Sequence, residues 1–192
     1  MTSCAMTCAL MWMHSVKRRL RGLAGDERGV SAVEFAMLLP LMLTLYLGTV
    51  EVSQGIAADR KVTLTARTVA DLVAQVSSIN NTDMTNSLNA AAAVIAPFST
   101  TNLSVTVTSV TIDAAGKATV AWSDALNGSP RAVGSTVTVP TALNTPNSSL
   151  IWSEVQYTYK PTIGYVVSGT LTLKDQIYMR PRLSDKVTRT AT

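Results

Sequence analysis

A run of apolar residues near the N-terminus constrains this chain more than any other feature. Val30–Val50 is 21 residues long and contains one charged side chain, Glu34. As an α-helix this run would measure about 30 Å, the hydrocarbon thickness of a bilayer. Its uncharged part, Phe35–Val50, has 16 residues and contains Pro40. Because membrane helices tolerate proline, usually with a kink, the run predicts a single transmembrane helix.

The charged residues predict the direction in which this helix crosses the membrane. Residues 1–29 contain five basic and two acidic residues, whereas residues 30–192 contain eleven basic and ten acidic ones. A basic segment before an apolar run places the N-terminus in the cytoplasm and the C-terminus outside. A nucleic-acid-binding domain needs its basic residues clustered on a folded face, so we expect no nucleic-acid partner.

The sequence after the apolar run predicts two further helical segments. Beyond Glu51, apolar residues recur at helical spacing up to Ile79, with polar residues opposite. The stripe consists of Val62, Thr65, Val69, Leu72, Val76 and Ile79. The transmembrane helix should therefore continue outwards as an amphipathic helix. A second helix, capped by Thr82 or Asp83, should run to about Ala96.

From residue 98 onwards the composition changes and predicts an antiparallel β-sheet. The predicted strands are Leu103–Ile112, Lys117–Ser123, Leu150–Lys160 and Thr170–Met179, with a short one at Thr136–Val139. A change in alternation near Ser109 predicts a bulge, and Gly116 predicts a turn with positive φ. We expect a meander of about four strands and a frayed C-terminal tail. The fold class is α+β, with a helix covering one sheet face.

These patterns divide the chain into four parts. Residues 1–29 form a basic cytoplasmic leader, and residues 30–56 form the transmembrane segment. Residues 57–97 form an extracytoplasmic helical region, and residues 98–192 form the β-rich domain. These boundaries follow the changes in charge, hydrophobic period and β-branched content along the chain.

The sequence contains no pattern typical of an enzyme. His14, the single histidine, lies in the leader with both cysteines, Cys4 and Cys8. No Ser/His/Asp or Cys/His constellation and no thiolate metal site can be assembled outside the leader. No glycine-rich loop opens a helix after a strand. We therefore expect no catalytic residues, no cofactor and no metal site.

Glu34 needs a physical explanation, because a carboxylate within a membrane span is costly. One explanation is that it lies one turn inside the cytoplasmic interface and extends its carboxylate towards water. Another begins with cleavage after Gly29, which would make Val30 the first residue. The new α-amino group would then lie one helical turn from Glu34. A carboxylate there could pair with the α-amino group of an adjacent subunit, which would give both buried charges a partner.

The residues around Glu34 resemble a known family. Gly29, four residues, Glu34 and the aromatic Phe35 are similar to a type IV prepilin processing site. The wider segment, Arg28–Ile56, resembles the TadE-like (TadE and TadG-like) pseudopilins of tight-adherence (Flp) pilus systems. The matching positions are Arg28, Gly29, Ala32–Ala36, Pro40, Gly48 and Glu51. Looser similarity continues at Tyr157–Pro161 and Tyr178–Arg182. The small size of the chain favours the TadE-like type over the longer TadG-like type.

The resemblance implies a role in pilus biogenesis and a site for each step. Prepilin peptidase would cut after Gly29, leaving Val30 as an N-terminus available for methylation. Glu34 would be the assembly carboxylate, and Phe35, Pro40 and Glu51 complete the motif. The implied partners are prepilin peptidase, other pilin or pseudopilin subunits, the pilus assembly platform and membrane lipid. The implied location is the bacterial inner membrane, with incorporation in the pilus and links to secretion and cell adhesion.

Two other interpretations remain open at this point. The chain could be an uncleaved single-pass membrane protein whose extracytoplasmic domain binds a partner. It could also be a secreted protein with a signal peptide, since the small residues Ala57 and Ala58 follow the apolar run. An apolar run that contains Pro40 and ends at Glu51 fits the signal-peptide interpretation poorly.

Overall fold

The computed structural model describes residues 27–161, 164 and 168–190. The predicted leader, most of the predicted connection between residues 161 and 169, and the last two residues of the predicted tail lie outside the described residues. The helices are α1 (Glu27–Ala74) and α2 (Asn81–Ile95), with short 3-10 turns at Thr100–Asn102 and Thr141–Leu143. The strands are β1 (Ser78–Ile79), β2 (Leu103–Ile112), β3 (Ala118–Leu126), β4 (Ser148–Tyr159), β5 (Leu171–Met179) and β6 (Thr188–Arg189).

Helix α1 is 48 residues long and passes through Pro40 without a break. The contacts divide the chain between Thr49 and Val50 into two units. In the first unit, every residue of α1 from Gly29 to Tyr46 is exposed. The Thr44 hydroxyl donates a hydrogen bond of 2.8 Å to the Pro40 carbonyl. A hydroxyl bonded in this way gives a backbone group within an apolar helix a partner from the helix itself.

In the second unit, α1 becomes a core helix. Its fully buried residues lie at the helical spacing that the sequence predicted, and small side chains alternate with valines. They are Ala58, Val62, Thr65, Ala66, Val69, Ala70, Val73 and Ala74. The helix ends at Ala74 rather than continuing to Ile79, so that part of the prediction is wrong. Ile79 is still buried, because it lies in β1, which pairs in parallel with β6.

Helix α2 begins at a different cap from the predicted one. Asn80 is the N-cap, and its side-chain oxygen accepts a 2.8 Å hydrogen bond from the Asp83 backbone N–H. Asparagine satisfies an otherwise unpaired donor at this position, whereas Thr82 and Asp83 lie in the first turn. Four buried side chains of α2 face the core, namely Met84, Leu88, Ala91 and Ile95.

The main sheet is antiparallel and has the order β3-β2-β4-β5. This confirms the α+β class with its long N-terminal helix, but the predicted meander is wrong because β4 lies beside β2 and not beside β3. The reason is burial: β4 is covered on both faces along most of its length and suits the centre, while β3 suits an edge. The register shift between Ser109 and Val110 confirms the predicted bulge. Gly116, with φ of +79°, confirms the turn.

The two faces of the sheet are covered differently. Helices α1 and α2 pack with one face into the larger core, which includes Val107, Ile151 and Val155. On the opposite face, a smaller cluster around Val110 and Leu150 packs against the β3–β4 connection. The predicted short strand in this connection, Thr136–Val139, is reduced to a single bridge between Thr119 and Thr136.

The C-terminal segment up to Thr190 is packed rather than frayed, which corrects the prediction. Val187 is buried, and its carbonyl accepts a 2.8 Å hydrogen bond from the indole nitrogen of Trp122. Arg189 forms an ion pair of 2.9 Å with Asp124 on β3. The sequence showed a polar tail because its few apolar positions are isolated, and only the fold provides a site for Val187.

The packing of this segment can be tested with Val187→Ala. Removing two buried methyl groups should lower the free energy of unfolding by about 2 kcal/mol. Urea unfolding of the full chain in detergent, followed by tryptophan fluorescence, measures the change. Leu183→Ala is the matched control, because Leu183 is 73% exposed in the same segment; it should change stability by less than about 0.5 kcal/mol. Equal effects would contradict a docked C-terminal segment.

Candidate functional site

The predicted processing residues lie in the first turns of α1. Gly29 is within the helix, and a Cβ atom placed on it would meet nothing within 4 Å. Val30 and Phe35 are each 59% exposed, and Glu34 is exposed as well. Val30 and Glu34 are four residues apart and therefore lie on the same side of the helix. The assignment of these residues to processing and assembly stays a prediction.

Helix α1 contains a candidate membrane span. From Gly29 it is long and apolar enough to cross a bilayer, and its most apolar stretch has no buried residue. Leu38, Leu41 and Leu45 are all more than half exposed in this stretch. An apolar surface of this kind on all sides of a helix is typical of contact with lipid or with other apolar helices.

Glu51 is placed very differently from Glu34. It is 2% exposed and lies in the second unit, where α1 meets the end of β4 and the start of β5. It lines a cavity of about 300 Å³, here called the acidic cavity. The lining residues are Glu51, Val52, Gly55, Ile56, Asp59, Tyr159, Leu171 and Leu173. The sequence marked Glu51 only as part of a motif and did not predict its burial.

Tyr159 contributes the remaining polar group of the acidic cavity. It is 4% exposed, and its hydroxyl has no hydrogen-bond partner among the described residues. Burial raises its pKa above the ordinary value of a tyrosine, and the nearby Glu51 charge raises the pKa further. Burial also raises the pKa of the neighbouring Tyr157. An unpaired buried hydroxyl is unusual enough to mark a site that lacks its partner.

A second constellation, which the sequence did not predict, lies on the opposite face of the sheet. Arg131 makes a two-pronged ion pair with Glu154, and its guanidinium lies 3.8 Å from the centre of the Trp152 ring. Trp152 in turn stacks on Tyr178 at 5.2 Å. The alternation within β4 and β5 could have placed the two aromatic residues on one face. Arg131 lies in an irregular connection, and nothing in the sequence joins it to them.

This constellation borders a polar groove of about 760 Å³. Side chains of β2, β4 and β5 form its floor, and the β3–β4 connection forms one wall. Gly128 allows that wall to approach, since a Cβ atom there would lie 2.6 Å from the Ser104 hydroxyl. The groove contains Lys174 as well as Arg131 and Glu154, so it presents both signs of charge.

Comparison with protein families decides what the N-terminal helix is. Residues 29–71 match the family model described as TadE-like protein. The TadE-like resemblance seen in the sequence is thereby confirmed for this segment. A search of curated proteins finds no match, and a search of solved structures finds none either.

The TadE-like segment includes every residue that the sequence singled out as a site. It begins at Gly29 and extends beyond Glu51 to Asp71, which is close to the end of α1. It therefore covers both the exposed apolar turns and most of the buried stripe. In the TadE-like segment of this protein, one helix is both the candidate membrane span and a core element of the folded domain.

The raised tyrosine pKa values predict how stability depends on pH. Because the folded-state pKa lies above the unfolded value of about 10, the stabilisation is complete below pH 10 and is lost above it. Urea unfolding midpoints should therefore fall as the pH rises from about 10 to 11.5. The double variant Tyr157→Phe/Tyr159→Phe should show a shallower fall than the parent protein. Identical slopes would show that these tyrosines ionise equally easily in both states.

Proposed function

We propose that this protein is a minor pseudopilin or assembly subunit of a tight-adherence (Flp, type IVb-like) pilus or a related secretion system. The observation that carries the proposal is the TadE-like segment itself, an exposed apolar helix that continues into the core of an α+β domain. Such a helix can hold the domain at a membrane and can later pack against other apolar helices. The function is structural assembly and adhesion rather than catalysis.

The proposed topology follows from the charge distribution. The chain crosses the bacterial inner membrane once, with its basic N-terminal segment in the cytoplasm. The α+β domain then lies outside the cytoplasm and enters the pilus or its assembly platform. Membrane lipid surrounds the apolar turns of α1 before assembly, which agrees with their exposure.

Prepilin peptidase is the proposed processing partner, and Gly29 is the residue before the cleaved bond. Hydrolysis of the Gly29–Val30 peptide bond would release the basic leader and create an α-amino group on Val30. Packing gives no reason for a glycine here, because a Cβ atom at residue 29 would meet nothing within 4 Å. Recognition by a peptidase supplies a reason that packing does not.

Glu34 is the proposed assembly carboxylate. It lies on the exposed part of α1 and one turn from Val30. In a bundle of subunits it would pair with the α-amino group of a neighbouring chain. Since a buried charge without a partner is strongly destabilising, this pairing would favour the assembled arrangement over incorrect ones.

Processing can be tested with Gly29→Leu. The leucine side chain should block cleavage, so the protein should keep its leader and migrate as a heavier band. N-terminal sequencing of the parent protein should start at Val30. Gly55→Ala is the control, because a Cβ atom at Gly55 makes only an ordinary contact of 3.9 Å with the Tyr159 ring. If the parent protein itself keeps its leader, prepilin processing is excluded.

The role of Glu34 can be tested with Glu34→Gln, which removes the charge and keeps the shape. The variant should insert into the membrane and be processed normally. Pilus number and surface adherence should fall by about tenfold or more, because the intersubunit ion pair is lost. The matched control is Asp175→Asn, a carboxylate on β5 far along the chain from α1. Unchanged piliation in Glu34→Gln would contradict the pairing.

A second candidate function is an uncleaved single-pass membrane protein with an extracytoplasmic binding domain. The polar groove beside Arg131 favours it, because the groove is wide and offers hydrogen-bonding groups from three strands. An intact leader in the N-terminal sequence would support this candidate over the pseudopilin.

A further inference from the structure

The acidic cavity is a site that neither processing nor membrane anchoring explains. Two carboxylates line it, those of the buried Glu51 and of Asp59, which lies about two turns further along α1. The hydroxyl of Tyr159 is buried in the same lining without a hydrogen-bond partner among the described residues. The remaining walls are apolar, with Val52, Ile56, Leu171 and Leu173 contributing side chains.

This chemistry suits a cation on an apolar stem. The lining, over the described part of the chain, contains no lysine or arginine. A guanidinium or ammonium group could face the two carboxylates and donate a hydrogen bond to the Tyr159 hydroxyl oxygen, which has lone pairs to accept it. The methylene groups of an arginine or lysine would lie against the apolar walls. The volume of about 300 Å³ is large enough for one such side chain.

The outward side of α1 carries a cation in a matching setting. Val52, Ile56, Arg60 and Leu64 follow one another every four residues, which places them in one row on the helix. The three apolar members are 50%, 51% and 48% exposed. Arg60 is exposed, and it forms no ion pair with any residue in the described ranges. This row, here called the Arg60 row, is an apolar surface with a single positive charge.

We propose that the Arg60 row of one copy docks on a second copy, with Arg60 inserted into the acidic cavity. The inference rests on the proposed function, because copies anchored in one membrane have parallel α1 helices. Arg60 is nine residues beyond Glu51, so the two helices are shifted by about 13 Å along their axes. Each copy then offers a cavity to one neighbour and an arginine to another. Such a head-to-tail contact does not close and produces a chain of subunits.

Disulfide cross-linking in membranes measures this shift directly. The same nine-residue offset brings Gly55 of one copy next to Leu64 of its neighbour. In full-length protein with Cys4→Ala and Cys8→Ala, the double variant Gly55→Cys/Leu64→Cys should give a ladder of dimers, trimers and larger species on oxidation. Gly55→Cys alone and Leu64→Cys alone are the matched controls, and neither should give dimers.

Charge reversal identifies the groups that make the contact. Asp59→Arg in the Gly55→Cys chain, or Arg60→Asp in the Leu64→Cys chain, should each lower cross-linking to the unchanged partner about tenfold. Co-expressing the two reversed chains should restore the cross-linked dimer, because the cavity of one chain then carries the positive charge and receives a negative charge from the other. Tyr159→Phe, which removes one hydroxyl from the lining, should also lower cross-linking, by about tenfold.

The outcomes separate this contact from the proposed function. A ladder that persists in the Gly29→Leu background, without pili, would keep the contact and reject the need for processing. Dimers from either single-cysteine control would show an unshifted symmetric pair and overturn the proposal. No cross-linking from the double variant, or cross-linking that ignores all three substitutions, would overturn it as well. Phospholipid amine retained by the purified parent but not by Asp59→Arg would assign the cavity to lipid and overturn it too.

Discussion

One helix has to satisfy two different environments, and the rest of the structure depends on how it does so. The turns of α1 before Thr49 expose apolar side chains in every direction, which only lipid or other apolar helices can cover favourably. The turns after Val50 expose polar groups on one side and bury a narrow stripe on the other. Ala58, Val62 and Ala66 are small enough in this stripe to let the helix pack closely with the sheet.

The buried stripe also explains the arrangement of the remaining elements. With α1 and α2 on one face, strand β4 pairs on both sides and occupies the middle of the sheet. The opposite face is left for the β3–β4 connection, which Arg131 attaches through Glu154 and the Trp152 ring. The C-terminal segment then returns to bury Val187 beside Trp122. Each of these contacts is distant in sequence, so each depends on the helices having covered the first face.

Two carboxylates in the TadE-like segment illustrate the same division. Glu34 is exposed on the apolar turns of α1, whereas Glu51 is 2% exposed beside Tyr159. Along the sequence they differ little, because each adjoins an apolar run. Their environments differ because Glu51 lies where α1 enters the folded domain. A charge placed there affects the pKa of a tyrosine more than a hundred residues away in the chain.

The sequence by itself determined the features that depend on local pattern. These are the apolar helix, the amphipathic stripe, three of the main strands to within two residues, the bulge near Ser109 and the turn at Gly116. It could not determine the strand order, the burial of Val187, the acidic cavity or the attachment of Arg131. Hydrophobic period and turn chemistry act between neighbouring residues, so they are visible in the sequence. Which strand pairs with which, and which polar groups lose water, is decided by competition for the same covered surface, and only the tertiary structure resolves it.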